Sequence, residues 1–205
     1  DEIYNCDVTV LDNLPEDAAP IKDIEIRSWF FARTYYGQDG YISKDELSHM
    51  NFFSFGYGCR EGYIKDLSGL EYATGLKTID LSYTGVKDVS PIMKLNNLEN
   101  LDINGMKMDD YSWLSNFTKM KRLNISRTKI QDFSFLNNMA ELEELHVGST
   151  SITDLDFLKN LKNYNKLELL DISDTAVSDL DVISRFVNIR SLYISGCNNI
   201  HNFKP

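Results

Sequence analysis

Written in rows from Leu76, the chain repeats one arrangement of apolar positions. Rows open at Leu76, Leu98, Met120, Leu142, Leu167 and Ile189, at spacings of 22, 22, 22, 25 and 22 residues. Apolar side chains fall at positions 1, 4, 6, 11, 14, 17 and 20 of a row. In the first row these are Leu76, Ile79, Leu81, Val86, Val89, Ile92 and Leu95. In the third they are Met120, Leu123, Ile125, Ile130, Phe133, Leu136 and Met139. A three-residue insertion near 163–166 interrupts the register once, and the sixth row is cut short at Pro205. The opening of each row, apolar at 1, 4 and 6, predicts a short strand with alternate side chains pointing inward. One row cannot bury its apolar side alone, so stacked rows predict one parallel sheet over one continuous core.

Other positions of the row carry their own chemistry. Position 9 reads Thr84, Met106, Thr128, Thr150, Thr175 and Cys197. A buried threonine hydroxyl there is expected to bond the backbone of the turn that follows the strand. Position 13 is aspartate in five rows, at Asp88, Asp110, Asp132, Asp154 and Asp179, and Asp66 repeats the pattern ahead of them. An aspartate just before S-P-I or S-F-L suits the N-cap of a short helix or 3-10 turn, which accounts for the ladder of acids without a metal. Position 16 holds Trp113, Phe135 and Phe157, expected to pack between neighbouring turns.

A solenoid must cover its first repeat, and residues 21–69 suit that task. Ile24, Ile26, Trp29, Phe30 and Phe31 predict an apolar helix over about 21–35. SKDEL predicts a second, with Ser43 as N-cap and Glu46 three residues on, a capping box. Ile64, Leu67 and Leu70 reproduce the second half of a repeat. FFSFGYGCREGY between them reads as an irregular first strand with a loop. In residues 1–20, CDVTVLDNL reads as a short strand and PEDAAP as a linker. Three segments result: 1–20, the cap with a degenerate first repeat at 21–69, and the repeats at 70–205.

The rows resemble leucine-rich repeats, and "IDLSYTGVKDVSPI" and "LDISDTAVSDLDVI" are similar to the 22-residue repeats of internalin-type proteins of bacterial surfaces. The resemblance covers 64–205. It implies an α/β solenoid: a leucine-rich repeat arc with a parallel concave sheet, short convex 3-10 or helical turns and a helical N-terminal cap. It also implies binding of another protein on the concave side. PIKDIEIRSWFFARTYYGQDGYISKDEL resembles the helix–loop–helix cap of secreted Gram-positive repeat proteins, in which an EF-hand-like loop joins the helices. With Gly40 at the sixth place of that loop, ligand positions 1, 3, 5, 9 and 12 hold Tyr35, Gly37, Asp39, Ser43 and Glu46. An EF-hand needs oxygen ligands at 1 and 3, and neither Tyr35 nor Gly37 supplies a suitable one. Asp39, Ser43 and Glu46 remain a weak calcium set, and a metal-free structural loop is the expectation.

Charge narrows the partners. Net charge is −10 over 205 residues, with −7 in residues 1–69 and −3 in 70–205, which argues against nucleic acid and against an anionic membrane surface. No apolar run is long enough for a transmembrane helix. The chain begins at Asp1 without a leader; a removed signal peptide would place it outside the cell or on its surface. Cys6, Cys59 and Cys197 are too few for a disulfide framework. Cys6 and Cys59 are the one plausible bridge, and Cys197 is expected as a buried free thiol.

A search for catalysis finds no P-loop and no GxGxxG, HExxH, CxxC or GxSxG motif. The three histidines are dispersed. His146 falls at row position 5 one row from Asp171, so the two can interact, but the register sets no serine or cysteine nucleophile beside them. No cofactor is implied. The exposed side of the sheet, positions 3, 5 and 8, is the candidate binding surface for a protein or glycan. Its named candidates are Tyr83, Asp102, Arg122, Asn124, Arg127, Glu144, His146, Leu169 and Tyr193, since arginine and tyrosine are enriched at hot spots. Position 2 runs Lys77, Glu99, Lys121, Glu143, Glu168 and Arg190, and opposite charges there are expected to pair across neighbouring strands. The expected protein is a monomeric, non-enzymatic binding protein, or else the recognition module of a larger exported chain.

Overall fold

The computed structural model describes residues 14–32, 40–54 and 62–201. Seven parallel strands form one open sheet in chain order: β1 Phe52–Ser54, β2 Thr78–Asp80, β3 Asn100–Asp102, β4 Arg122–Asn124, β5 Glu144–His146, β6 Leu169–Asp171 and β7 Ser191–Tyr193. The fold is a leucine-rich-repeat solenoid, in the register that the rows predict. Position 3 meets position 3 and position 5 meets position 5 at every pairing, as in Arg122 with Glu144 and Asn124 with His146. Each strand from β1 to β6 buries its middle residue, and Ile79, Leu123, Leu145 and Leu170 are all fully buried; in β7 Leu192 is half-buried. The flanking residues face solvent because successive side chains alternate between the two sides.

Opposite the sheet, each row returns through a 3-10 turn: Ser90–Ile92, Ser112–Asn116, Ser134–Asn138, Asp156–Asn160 and Asp181–Arg185. The aspartate of position 13 stands one residue before the N-cap rather than at it. Its Oδ1 accepts the backbone N–H two residues on, from Ser90, Ser112, Ser134, Asp156 and Asp181 in turn. This Asx turn does the work expected of a cap from one place earlier. Trp113 and Phe135 are buried between the turns, and the half-buried Phe157 stacks on Phe133 at 4.3 Å between ring centroids. The three extra residues of the fourth row form a further 3-10 turn, Tyr164–Lys166, on this same side.

The cap is built as its sequence asks. Helix α1, Ile24–Phe31, starts later than the apolar pattern suggests, because Asp23 is its N-cap and accepts from the N–H groups of Glu25 and Ile26. The other carboxylate oxygen of Asp23 accepts from Lys65 and Asp66, which fastens the helix to the first row. Trp29 packs on Phe53 at 4.9 Å, and its indole N–H donates to Ser54 O at 2.6 Å. Helix α2, Lys44–Ser48, opens on the complete capping box of Ser43 and Glu46. The PEDAAP stretch is not a free linker: Ala18 bridges Ser43, and Ala18 and Ala19 are buried. The expected strand in CDVTVLDNL, the loop residues Tyr35, Gly37 and Asp39, and Cys6 and Cys59 lie outside the described residues.

Candidate functional site

The solvent-facing side of the sheet gathers two of the three predicted sets into two columns. Position 3 runs Phe52, Thr78, Asn100, Arg122, Glu144, Leu169, Ser191. Position 5 runs Ser54, Asp80, Asp102, Asn124, His146, Asp171, Tyr193. The first member of each column was not legible as such in the sequence. Phe52 is half exposed, and with Thr78 and Asn100 it lines a shallow groove of about 270 Å³. At the other end Leu169 is half-buried and Tyr193 is 51% exposed.

The middle of the face is polar and internally bonded. Arg122 Nε donates to Glu144 at 2.9 Å, and Asn100 donates to the Thr78 hydroxyl. Asp80, Asp102, Asn124 and Asp171 share one structural duty. Each accepts the backbone N–H two residues on, from Ser82, Asn104, Ser126 and Ser173, and so closes the end of its strand. Asn124 performs this with an amide, so the duty itself needs no charge. Its Nδ2 also donates to Asp102. Burial, with the Asp80 carboxylate adding to it, raises the Asp102 pKa above the usual carboxylate range despite these bonds. At Asp171 burial pushes upward too. The Ser173 hydroxyl and N–H and the His146 ring together outweigh it and hold that carboxyl below its usual range. His146 Nδ1 lies 3.4 Å from Asp171 Oδ2, the one-row pairing that the register allows.

The strand-entry edge is an ion-pair ladder. Glu99 binds Lys121 at 2.7 Å and Lys77 at 3.2 Å, and Glu168 meets Arg190 at 3.5 Å. Position 8, the third predicted set, lies off the sheet on the turn beyond it. Positions 6 to 9 form a β-turn closed by an N–H of position 9, as in Thr84 to Leu81 and Met106 to Ile103. Its third residue has positive φ in every row: Tyr83 56°, Gly105 70°, Arg127 58°, Ser149 53°, Asp174 56° and Gly196 75°. That is the arrangement of a type II turn, which glycine suits best. Gly105 and Gly196 in one register carry the sequence signal for it. The threonine hydroxyls of position 9 donate to the same position 6 carbonyls, at Leu81, Ile125, Val147 and Ile172. Cys197 is buried, and its thiol donates to Ile172 O at 3.0 Å.

In the cap, Ser43 and Glu46 are bound to one another. Glu46 Oε2 accepts the Ser43 N–H at 2.7 Å, and Ser43 Oγ accepts the Glu46 N–H at 3.0 Å. No group of three or more metal-ligating side chains occurs among the described residues. No helix among them is long and apolar enough to cross a membrane.

Comparison with known proteins agrees with this geometry. The family pattern described as Leucine Rich repeats (2 copies) matches residues 118–160. An internalin (inlF) of Listeria monocytogenes matches in structure at TM-score 0.60 and 27% identity, covering 77% of this chain and 48% of that one. Internalin C2 (inlC2) of the same organism matches at TM-score 0.56 and 19% identity, covering 76% of this chain and 85% of that one, a likeness of fold. No curated protein sequence matches. The chain thus spans about half the length of the first internalin structure, and its repeats are internalin-like leucine-rich repeats.

Proposed function

We propose that this chain is a non-enzymatic binding module, secreted or held at a cell surface, that recognises a protein or a glycan through the exposed face of its sheet. One observation carries the reading: large aromatic side chains stand in solvent at the two ends of a rigid seven-strand array, Phe52 at one end and Tyr193, beside the half-buried Leu169, at the other. The fold has no need of them there, since polar residues occupy the same columns in between. A preformed array meets a partner with little ordering entropy, and aromatic anchors are the residues on which such interfaces depend. The ligand-contact set is Tyr83, Asp102, Arg122, Asn124, Arg127, Glu144, His146, Leu169 and Tyr193, to which Phe52 is added. Internalins supply the precedent for the fold, and none of their partners is carried over to this chain.

The test is quantitative binding after capture of a ligand from extracellular host or community extracts. Leu169→Asp and Arg122→Ala should each weaken the complex about tenfold or more, with melting temperatures near that of the parent. Met93→Ala, exposed on the turn side, serves as the control. Normal binding by both sheet variants would reject the sheet face. A second reading is a recognition module within a larger exported protein. The length of the natural gene product decides between the two.

A further inference from the structure

Two features of the turn ridge beyond the strands set it apart from the rest of the surface. The first is backbone cost. Tyr83 and Arg127 hold the left-handed conformation with bulky side chains, at φ 56° and 58°. Glycine occupies the same place in two other rows and would fit it with less strain. Strained residues that persist in a fold point to function rather than to stability.

The second is charge. On the strand-entry edge Lys77, Lys121 and Arg190, and on the sheet face Arg122, each have a carboxylate within 3.5 Å. On the turn ridge Arg127 and Lys129 are exposed, and among the described residues neither side chain has a hydrogen-bond or ion-pair partner. The nearby position 13 carboxylates Asp88, Asp110 and Asp132 are turned onto backbone N–H groups. Asp109 is exposed in row 2, and these two cations without a carboxylate partner both stand in row 3.

The shape joins the two. A Cβ at Gly105 would stand 2.5 Å from the Tyr83 ring, so that ring fills the place of a side chain in row 2, the row between Tyr83 and Arg127. Tyr83, Gly105 and Arg127 therefore form a continuous aromatic-to-cationic platform.

We propose that this platform docks an acidic segment of a partner protein, with Arg127 and Lys129 reading its carboxylates and the Tyr83 ring covering the segment's apolar stem. The proposal rests on the binding-module reading and extends its footprint from the sheet to the ridge. The chemistry is that of guanidinium and ammonium with carboxylate, placed on a chain whose net charge of −10 would repel an acidic partner elsewhere.

The probe is a synthetic dodecapeptide of alternating Glu and Tyr, titrated into the isotopically labelled chain at moderate salt, with a Lys/Tyr peptide alongside. Amide shifts are expected at 83, 105, 127 and 129 with the acidic peptide alone. Arg127→Gly should weaken its binding about fivefold, the scale of one exposed ion pair. The same variant should melt about 2–4 °C above Arg127→Ala, which keeps the strained Cβ but loses the charge. Equal binding by Arg127→Gly, or preference of the ridge for the lysine peptide, would overturn the proposal. So would tighter binding of an inorganic polyphosphate, in favour of a general anion site. Shifts confined to rows 5 and 6 that vanish in Leu169→Asp would also overturn it while leaving the sheet-face reading intact.

Discussion

Truncating Leu145 tests the register and the energetics together. Leu145 is fully buried in β5, with Leu123 and Leu170 as its neighbours at the same row position. Leu145→Ala removes three carbon groups, about 2.4 kcal/mol of transfer free energy at roughly 0.8 kcal/mol each. Rows on both sides hold the walls apart, so a cavity remains and the total should reach about 3–5 kcal/mol. Leu192 occupies position 4 in β7, where only β6 flanks it among the described strands, and it is only half-buried. Leu192→Ala should therefore lose less than half as much, roughly 1–2 kcal/mol. Urea denaturation of both variants gives the comparison, with the slope checked to confirm that the unfolded states match. Equal losses at the two positions, or a loss under about 1 kcal/mol at Leu145, would refute the packing account.

Three further outcomes follow from the side chains described. Asp102, raised by burial above its ordinary 3.8, binds a proton more tightly folded than unfolded, so it lowers stability once pH passes that window. Asp102→Asn should raise the melting temperature at pH 7 and lose that gain below pH 3.8. Asp171 is lowered from the same 3.8, so it stabilises at neutral pH and that contribution fades as pH falls below 3.8; Asp171→Asn should cost melting temperature at pH 7 and little in acid. Matching pH profiles for the two variants would contradict this. Millimolar calcium should leave the melting temperature unchanged, since Tyr35 and Gly37 offer no suitable ligand; a rise of several degrees, abolished by Glu46→Gln, would overturn the structural reading of the loop. Cys197 should resist alkylation until unfolding, and mass spectrometry of the native, unreduced chain checks this together with any Cys6–Cys59 bridge; fast labelling of Cys197 would rule out its burial.

The apolar register was legible from Leu76 onward because every row depends on its neighbours, and burial at positions 1, 4 and 6 tolerates little else. The threonines of position 9 were legible for the same reason, since their hydroxyls have one place to go. Phe52 was hidden because the residues between Ser54 and Gly62 stretch the first row to 26 from Met50 to Leu76, which breaks the spacing that identifies a row. The left-handed residues of position 8 were missed because tyrosine and arginine there mask what Gly105 and Gly196 reveal. The place of Asp88 and its counterparts, one residue ahead of the cap, depends on φ and ψ of the next residue, which no side-chain pattern records. On the candidate face the columns were readable from the repeat. The role of Asp102 as a strand-end acceptor came only with the backbone.

The turn Tyr164–Lys166 absorbs three additional residues, yet Glu144 still faces Leu169 and His146 still faces Asp171. Length added on that side leaves the neighbouring strands in step. Changes of row length and changes of binding chemistry thus fall on different residues, and a lineage can vary one without disturbing the other. Grafting follows the same division: a whole row, or a foreign loop inserted at 163–166, should be tolerated where a single residue added within a strand would turn every outward side chain of that row into the core.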